Sequence, residues 1–145
     1  MNLCRLLFVI VGCGMFGVTG SATLAVDAGP IRLYEVTTAT SMPHLDESLR
    51  YATRTEARCI DIRDLSGEFW MLRDVSLQDC RLVKTSESAD AAGYLLSCDG
   101  GHGTTGNASW QLGPGAIAGT LNVRLGGKNM TFYQRITAKP IGSCS

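Results

Sequence analysis

An alternation of apolar and polar residues near the C-terminus predicts a β-hairpin. Its two strands are expected at residues 117–125 and 130–136, joined by a glycine-containing turn. Pairing Leu125 with Met130 places the apolar residues of both strands, including Phe132, on one face. The apolar pattern and the turn therefore agree on a single register.

Shorter alternating segments predict the remaining strands, at residues 32–38, 51–59, 78–86, 92–98 and 108–112. Trp110 is expected to face the core. In the segment 51–59, the charged side that carries Arg54, Glu56 and Arg58 is expected to be the solvated one. The fold class predicted from these patterns is mainly β: an antiparallel meander of six to eight strands, curved or partly closed, with one short helix.

The short helix is expected between residues 61 and 72. Asp61 can cap its first turn, and apolar residues then follow at helical spacing, namely Ile62, Leu65, Phe69 and Leu72. Gly67 weakens such a helix by about 1 kcal/mol.

Length and composition narrow the classes of protein that fit. A chain of 145 residues, 45% hydrophobic and 18% charged, predicts one folded domain and excludes a disordered tail. A net charge of zero excludes a strongly basic nucleic-acid binder.

The N-terminus reads as a secretory signal over residues 1–25, followed by one domain over 26–145. Arg5 precedes an apolar run, and small residues ending at Ala25 offer a cleavage site. Two alternatives stay open: the segment is retained as a membrane anchor, or Cys13 is lipidated. Only in those cases is contact with a membrane expected; otherwise the protein is expected in the periplasm or secreted.

Four of the six cysteines lie beyond the signal, and an even number in an exported chain predicts two disulfides. If Cys80 faces Cys98, Leu82 faces Leu96 across the hairpin, which favours that pairing among the three that four cysteines allow. Cys59 would then pair with Cys144. The wide spacing of all four disfavours a zinc site.

Several of these segments together resemble the domain of unknown function 3617 family of exported bacterial proteins. The resemblance rests on the opening strand at residues 33–37, on the cysteines, and on the ending at residues 136–144 with its closing Gly-x-Cys. Tyr34 replaces the family's usual Trp. The resemblance implies export and a disulfide-bonded β-rich domain. It implies no activity and no catalytic residue.

Charge is unevenly distributed along the chain. Residues 26–99 hold 8 basic and 13 acidic side chains, whereas residues 100–145 hold 4 basic and none acidic. Arg124 and Arg135 are expected on the outward face of the last hairpin, near Lys128. This surface either meets an anionic partner, such as lipid headgroups or an envelope polymer, or is simply solvated.

Signals for catalysis and cofactors are sparse. Residues 101–106 fit the pattern GxGxxG, but a strand rather than a helix is expected after it, which argues against dinucleotide binding. The two histidines, His44 and His102, lie in loops without a catalytic or metal-binding signature. We therefore expect no enzyme activity, no metal and no cofactor.

The function expected from the sequence is non-enzymatic binding of a small or lipid-like ligand on the apolar face of the curved sheet. An alternative is a protein-interaction module of the cell envelope, using an edge strand or the basic face of Arg124 and Arg135. A hydrolase or metal-binding protein that uses His44 or His102 is the least favoured reading.

Overall fold

A computed structural model describes residues 30–48, 50–100, 103–127 and 130–144 of the chain. Seven strands form one antiparallel sheet: β1 (Ile31–Ser41), β2 (Tyr51–Asp61), β3 (Cys80–Glu87), β4 (Ala91–Cys98), β5 (Thr105–Leu112), β6 (Ile117–Leu125) and β7 (Met130–Ser143). The predicted mainly β fold with six to eight antiparallel strands and two disulfides is confirmed. The predicted signal lies outside the described residues.

The strands lie in the order β2-β1-β7-β6-β5-β4-β3. Strands β3 to β7 therefore follow one another as the predicted meander. The hairpin of β1 and β2 joins the far side of β7, so that the first strand pairs with the last. The sheet is open, with β2 and β3 as its two edges.

Both hairpin registers predicted from the sequence are confirmed. In the last hairpin Leu125 pairs with Met130. In the earlier hairpin Cys80 pairs with Cys98 and Leu82 with Leu96. These registers put every second residue of each strand on one face, which we call the inner face because its side chains form the core.

The chain's own connection between β2 and β3 covers the centre of the inner face, and a hollow of about 270 Å³ remains beside Trp70 near β1 and β2. This connection, residues 62–79, is called the covering segment below. It contributes four buried side chains to the core: Leu65, Phe69, Met71 and Leu77. The Phe69 ring lies 5.1 Å from the ring of Trp110, measured between centroids, and neither side chain is exposed. The prediction that Trp110 faces the core is confirmed.

The Trp110 indole lies flat against its neighbour on β6. It pairs with Gly119, and a Cβ added to this glycine would lie 2.8 Å from three indole carbons. Real Cβ atoms essentially never approach so closely. Gly119 is therefore the residue that makes room for the largest side chain of the core.

The helix predicted at residues 61–72 is wrong. Asp61 still belongs to β2, and two short 3₁₀ helices follow instead, Trp70–Arg73 and Val75–Leu77. The Asp61 carboxylate accepts a hydrogen bond from the backbone N–H of Arg63 at 3.0 Å, which closes a turn where a helix would begin. The apolar residues at helical spacing pack against the sheet without forming a helix, and Leu65 and Phe69 are buried in the core from an irregular segment.

The predicted orientation of β2 is also wrong. Arg58 lies on the inner side together with the fully buried Ile60, beneath the covering segment. Its guanidinium donates to the backbone oxygen of Glu68 at 3.0 Å and lies 3.1 Å from the Glu68 carboxylate. Burial raises the pKa of Glu68, and the nearby Arg58 opposes that rise. The charged side of β2 therefore anchors the covering segment.

Candidate functional site

The opposite face of the sheet, which we call the outer face, carries no covering segment. One line of side chains crosses it through successive cross-strand pairs. This transverse row consists of Val83, Leu95, Asn107, Asn122, Tyr133, Ser41 and Tyr51. Six strand spacings give it a length of roughly 28 Å. Its members alternate along their strands with buried residues such as Gln134 and Tyr94, which fixes the row on the outer side.

Two adjoining hollows lie over this row, one on each side of Tyr133, and we call them together the outer groove. The first has a volume of about 480 Å³ and is lined by Leu95, Asn107, Asn122 and Tyr133, among others. The second has a volume of about 320 Å³ and lies between Tyr133 and Tyr51. Tyr51 is 69% exposed and Tyr133 is 36% exposed, so both rings are accessible from solvent.

Arg124 and Arg135 stand on opposite sides of the transverse row. Arg124 follows Asn122 by two residues on β6, and Arg135 follows Tyr133 by two residues on the antiparallel β7. Four residue steps separate them along the strand direction, about 14 Å. Both are exposed, and each lines one of the two hollows. No Asp or Glu is among the described residues that line the groove, so its charged lining residues are the two arginines.

The sequence placed Arg124 and Arg135 on the outward face of the last hairpin, and their register agrees with that placement. Lys128, the third member of the predicted basic surface, lies outside the described residues. The sequence interpretation missed the two asparagines and the two tyrosines of the row. In the sequence these residues are marked only by alternating with residues that face the core. Which of them lie side by side follows from the strand order.

The structure describes one of the two histidines and the later part of the glycine-rich segment. His44 is exposed, and its ring meets the edge of Phe132 at 5.2 Å between centroids. His102 lies outside the described residues. Gly106, the last glycine of the GxGxxG segment, belongs to β5, so a strand follows the motif as expected. Within the described ranges, no group of three or more His, Cys, Asp or Glu residues could hold a metal ion.

The disulfides have the favoured pairing. Cys80–Cys98 closes the β3–β4 hairpin on the inner face, and Cys59–Cys144 ties β2 to the residue after β7. Cys59 points to the outer side, because its neighbour Ile60 is buried on the inner side. Two disulfides are consistent with an oxidising compartment.

Comparison with protein-family models, curated proteins and solved structures finds no significant match to this chain. The resemblance to the domain of unknown function 3617 family therefore stays a prediction. In the part of the chain that the structure describes, no helix is long and apolar enough to cross a membrane.

Proposed function

We propose that this protein is an exported, non-enzymatic binding module whose ligand occupies the outer groove. The sequence led us to expect a ligand on the apolar face of the sheet. The covering segment occupies the centre of that face, with Phe69 packed on Trp110. The proposal therefore places the ligand on the opposite face, where the hollows are open.

The observation that carries the proposal is the lining of the larger hollow. Its volume of about 480 Å³ is typical of ligand sites. Its lining combines the apolar Leu95, the aromatic Tyr133, the amides of Asn107 and Asn122, and the guanidinium of Arg124. A few polar groups converging on apolar and aromatic surface can fix the orientation of a ligand.

The proposed compartment is the periplasm or the extracellular medium. The two disulfides support it, since such bonds persist in oxidising environments. The signal read from residues 1–25 supports it independently.

A protein-interaction module is the second candidate. β2 is an edge strand of 11 residues, paired only with β1, and such an edge can accept a strand from a partner. Charged side chains along an edge work against this pairing, and β2 carries Arg54, Glu56 and Arg58. For this reason we prefer the outer groove.

A fragment screen followed by amide chemical shifts tests the proposal. We expect binding fragments to shift the amides of residues 105–107, 122–124 and 131–133 and to leave the covering segment unchanged. The variant Asn122→Trp fills the groove and should abolish these shifts. Gln111→Trp, at an exposed outer position outside the groove, is the matched control and should retain them. Shifts confined to the covering segment, or no binding by any fragment, would refute the proposal.

A further inference from the structure

We propose that the outer groove binds a linear anionic glycan, laid across the strands along the transverse row. This inference rests on the proposed function and names the class of its ligand. The sugar rings would stack on Tyr133 and Tyr51, and the acidic groups would meet Arg124 and Arg135. The argument uses three features: the spacing of the tyrosines, the polar floor between aromatic and apolar ends, and the placement of the arginines.

The two tyrosines are spaced to hold alternate rings of a sugar chain. Tyr133 and Tyr51 both pair with Ser41, from its two sides, so two strand spacings separate them. That distance is roughly 10 Å, close to the two-residue repeat of an extended β-1,4-linked chain. The small Ser41 between them leaves the hollow of about 320 Å³ open. Exposed aromatic rings offer a flat surface for the C–H face of a pyranose.

The floor of the groove beyond Tyr133 suits hydroxyl groups. Asn107 and Asn122 pair directly across β5 and β6, and both are exposed. Each side-chain amide offers two donors and an acceptor, which matches a sugar hydroxyl's ability to accept and donate. Leu95 and Val83 end the row with apolar surface. A groove floor without hydrogen-bonding side chains would favour a lipid chain. The two asparagines instead favour a ligand that carries hydroxyl groups.

The arginines are placed for a chain whose charged groups alternate in direction. In a two-fold β-1,4-linked chain, successive rings are turned over, so their acidic groups point to opposite sides. Arg124 and Arg135 lie on opposite sides of the row, about 14 Å apart along the strands. Guanidinium groups recognise carboxylates through paired hydrogen bonds.

Calorimetric titration with two oligosaccharides that differ only in charge tests the inference. We expect a β-1,4-linked glucuronate hexamer to bind, and a β-1,4-linked glucose hexamer to bind at least roughly tenfold more weakly. The affinity for the glucuronate hexamer should fall as salt is added, because the arginines are exposed. Equal affinity for the two hexamers would overturn the inference, as would equal affinity for a single-stranded oligonucleotide of similar charge.

Variants of the groove separate stacking from charge. Tyr133→Ala should weaken binding of the glucuronate hexamer roughly tenfold, and Tyr51→Ala should weaken it by a smaller factor. Arg124→Gln with Arg135→Gln should remove the preference for the charged hexamer. Lys139→Gln, an exposed cation on β7 outside the groove, is the matched control and should bind as the wild type does. Full affinity in both tyrosine variants would contradict stacking on this row.

The fragment screen separates failure of the inference from failure of the proposed function. If fragments shift the groove amides while neither hexamer binds, the groove is a binding site and the glycan inference is wrong. If neither fragments nor hexamers perturb these amides, both proposals are wrong. If the glucuronate hexamer binds but shifts only amides of the covering segment, the outer groove is not the binding site, and both proposals are wrong about the site.

Discussion

The two faces of this sheet are built from the same strands and differ in almost every property. The inner face carries the buried Trp110 and Leu121 and packs against the covering segment. The outer face carries Asn107 and Asn122, at alternating positions of the same two strands, and stays open. Each strand therefore contributes to stability through one set of residues and is free to contribute to binding through the other.

This separation has a practical consequence for mutation. Changes on the inner face are expected to alter the free energy of unfolding, because they act on packed apolar groups. Changes of outer-face side chains other than the disulfide-bonded Cys59 are expected to leave that free energy nearly unchanged while altering binding. Four predictions test how far the separation holds.

The largest effect is expected from a disulfide that involves the outer face. Replacing Cys59 and Cys144 with alanine opens a link between residues 85 positions apart, whereas replacing Cys80 and Cys98 opens one of 18. The loss of chain constraint predicts costs of about 4.5 and about 3 kcal/mol respectively. Chemical denaturation of both double variants shows which of them loses more stability. A larger loss from the hairpin variant would show that the inner face outweighs the longer loop.

Removing one aromatic ring from each face makes the comparison direct. Phe69→Ala should cost about 4 kcal/mol, because it leaves a cavity against Trp110. Tyr133→Ala should cost less than about 1 kcal/mol, since its ring is partly exposed. Val75→Ala is the control within the covering segment, where Val75 is 76% exposed and should be silent. Urea unfolding measures the free energy of unfolding of the three variants. Equal losses of stability in the Phe69 and Tyr133 variants would contradict the distinction between the two faces.

A single methyl group tests how tightly the inner face is filled. Gly119→Ala should destabilise by about 2 kcal/mol, because its new Cβ meets the Trp110 ring. Gly115→Ala is the matched control, with no atom within 4 Å of the new Cβ. Thermal and chemical unfolding compare the two. Wild-type stability in the Gly119 variant would mean that the indole can move aside.

The smallest effect is expected within the covering segment itself, and it depends on pH. The Asp74 carboxylate accepts hydrogen bonds from the hydroxyl and the backbone N–H of Ser76, which hold the pKa of Asp74 below its ordinary value of 3.8. Asp74→Ala should cost about 1 kcal/mol at neutral pH.

The sign of the pH dependence follows from that lowered pKa. The stabilisation by Asp74 is present above pH 3.8 and is lost as the pH falls through the folded-state value. The difference in unfolding free energy between wild type and Asp74→Ala should therefore shrink in acid. A difference that stays constant down to about pH 2 would show that charge on Asp74 is not what stabilises this turn.

The sequence predicted the hairpins well because each is local. Strict alternation around a short turn leaves few registers, and Leu125 with Met130, like Cys80 with Cys98, is paired as expected. The disulfide pairing followed from the same register, since Cys59 and Cys144 were the remaining pair.

The covering segment could not be predicted because its shape depends on the sheet beneath it. Leu65 and Phe69 have helical spacing, yet they are held by contacts with residues far along the chain. The predicted orientation of β2 is wrong for the same reason. Arg58 pairs with Glu68 of the covering segment, and the sequence predicts a helix there.

The outer groove could not be predicted because it is a property of strand order. The residues of the transverse row come from seven strands, and no two of them are close in sequence except across a turn. Only the two arginines on the last hairpin were within reach of a local argument.

The pairing of the first strand with the last has a consequence for how this chain acquires its structure during synthesis. Thr40 on β1 and Gln134 on β7 are hydrogen-bonded at 3.0 Å across a separation of 94 residues. Because the chain is synthesised from its N-terminus, β1 is made before β7. The pairing of β1 with β7 can therefore form only after β7 has been made. Non-local closure of this kind slows folding. The seven-stranded sheet is therefore completed only after the residues of β7 have been synthesised.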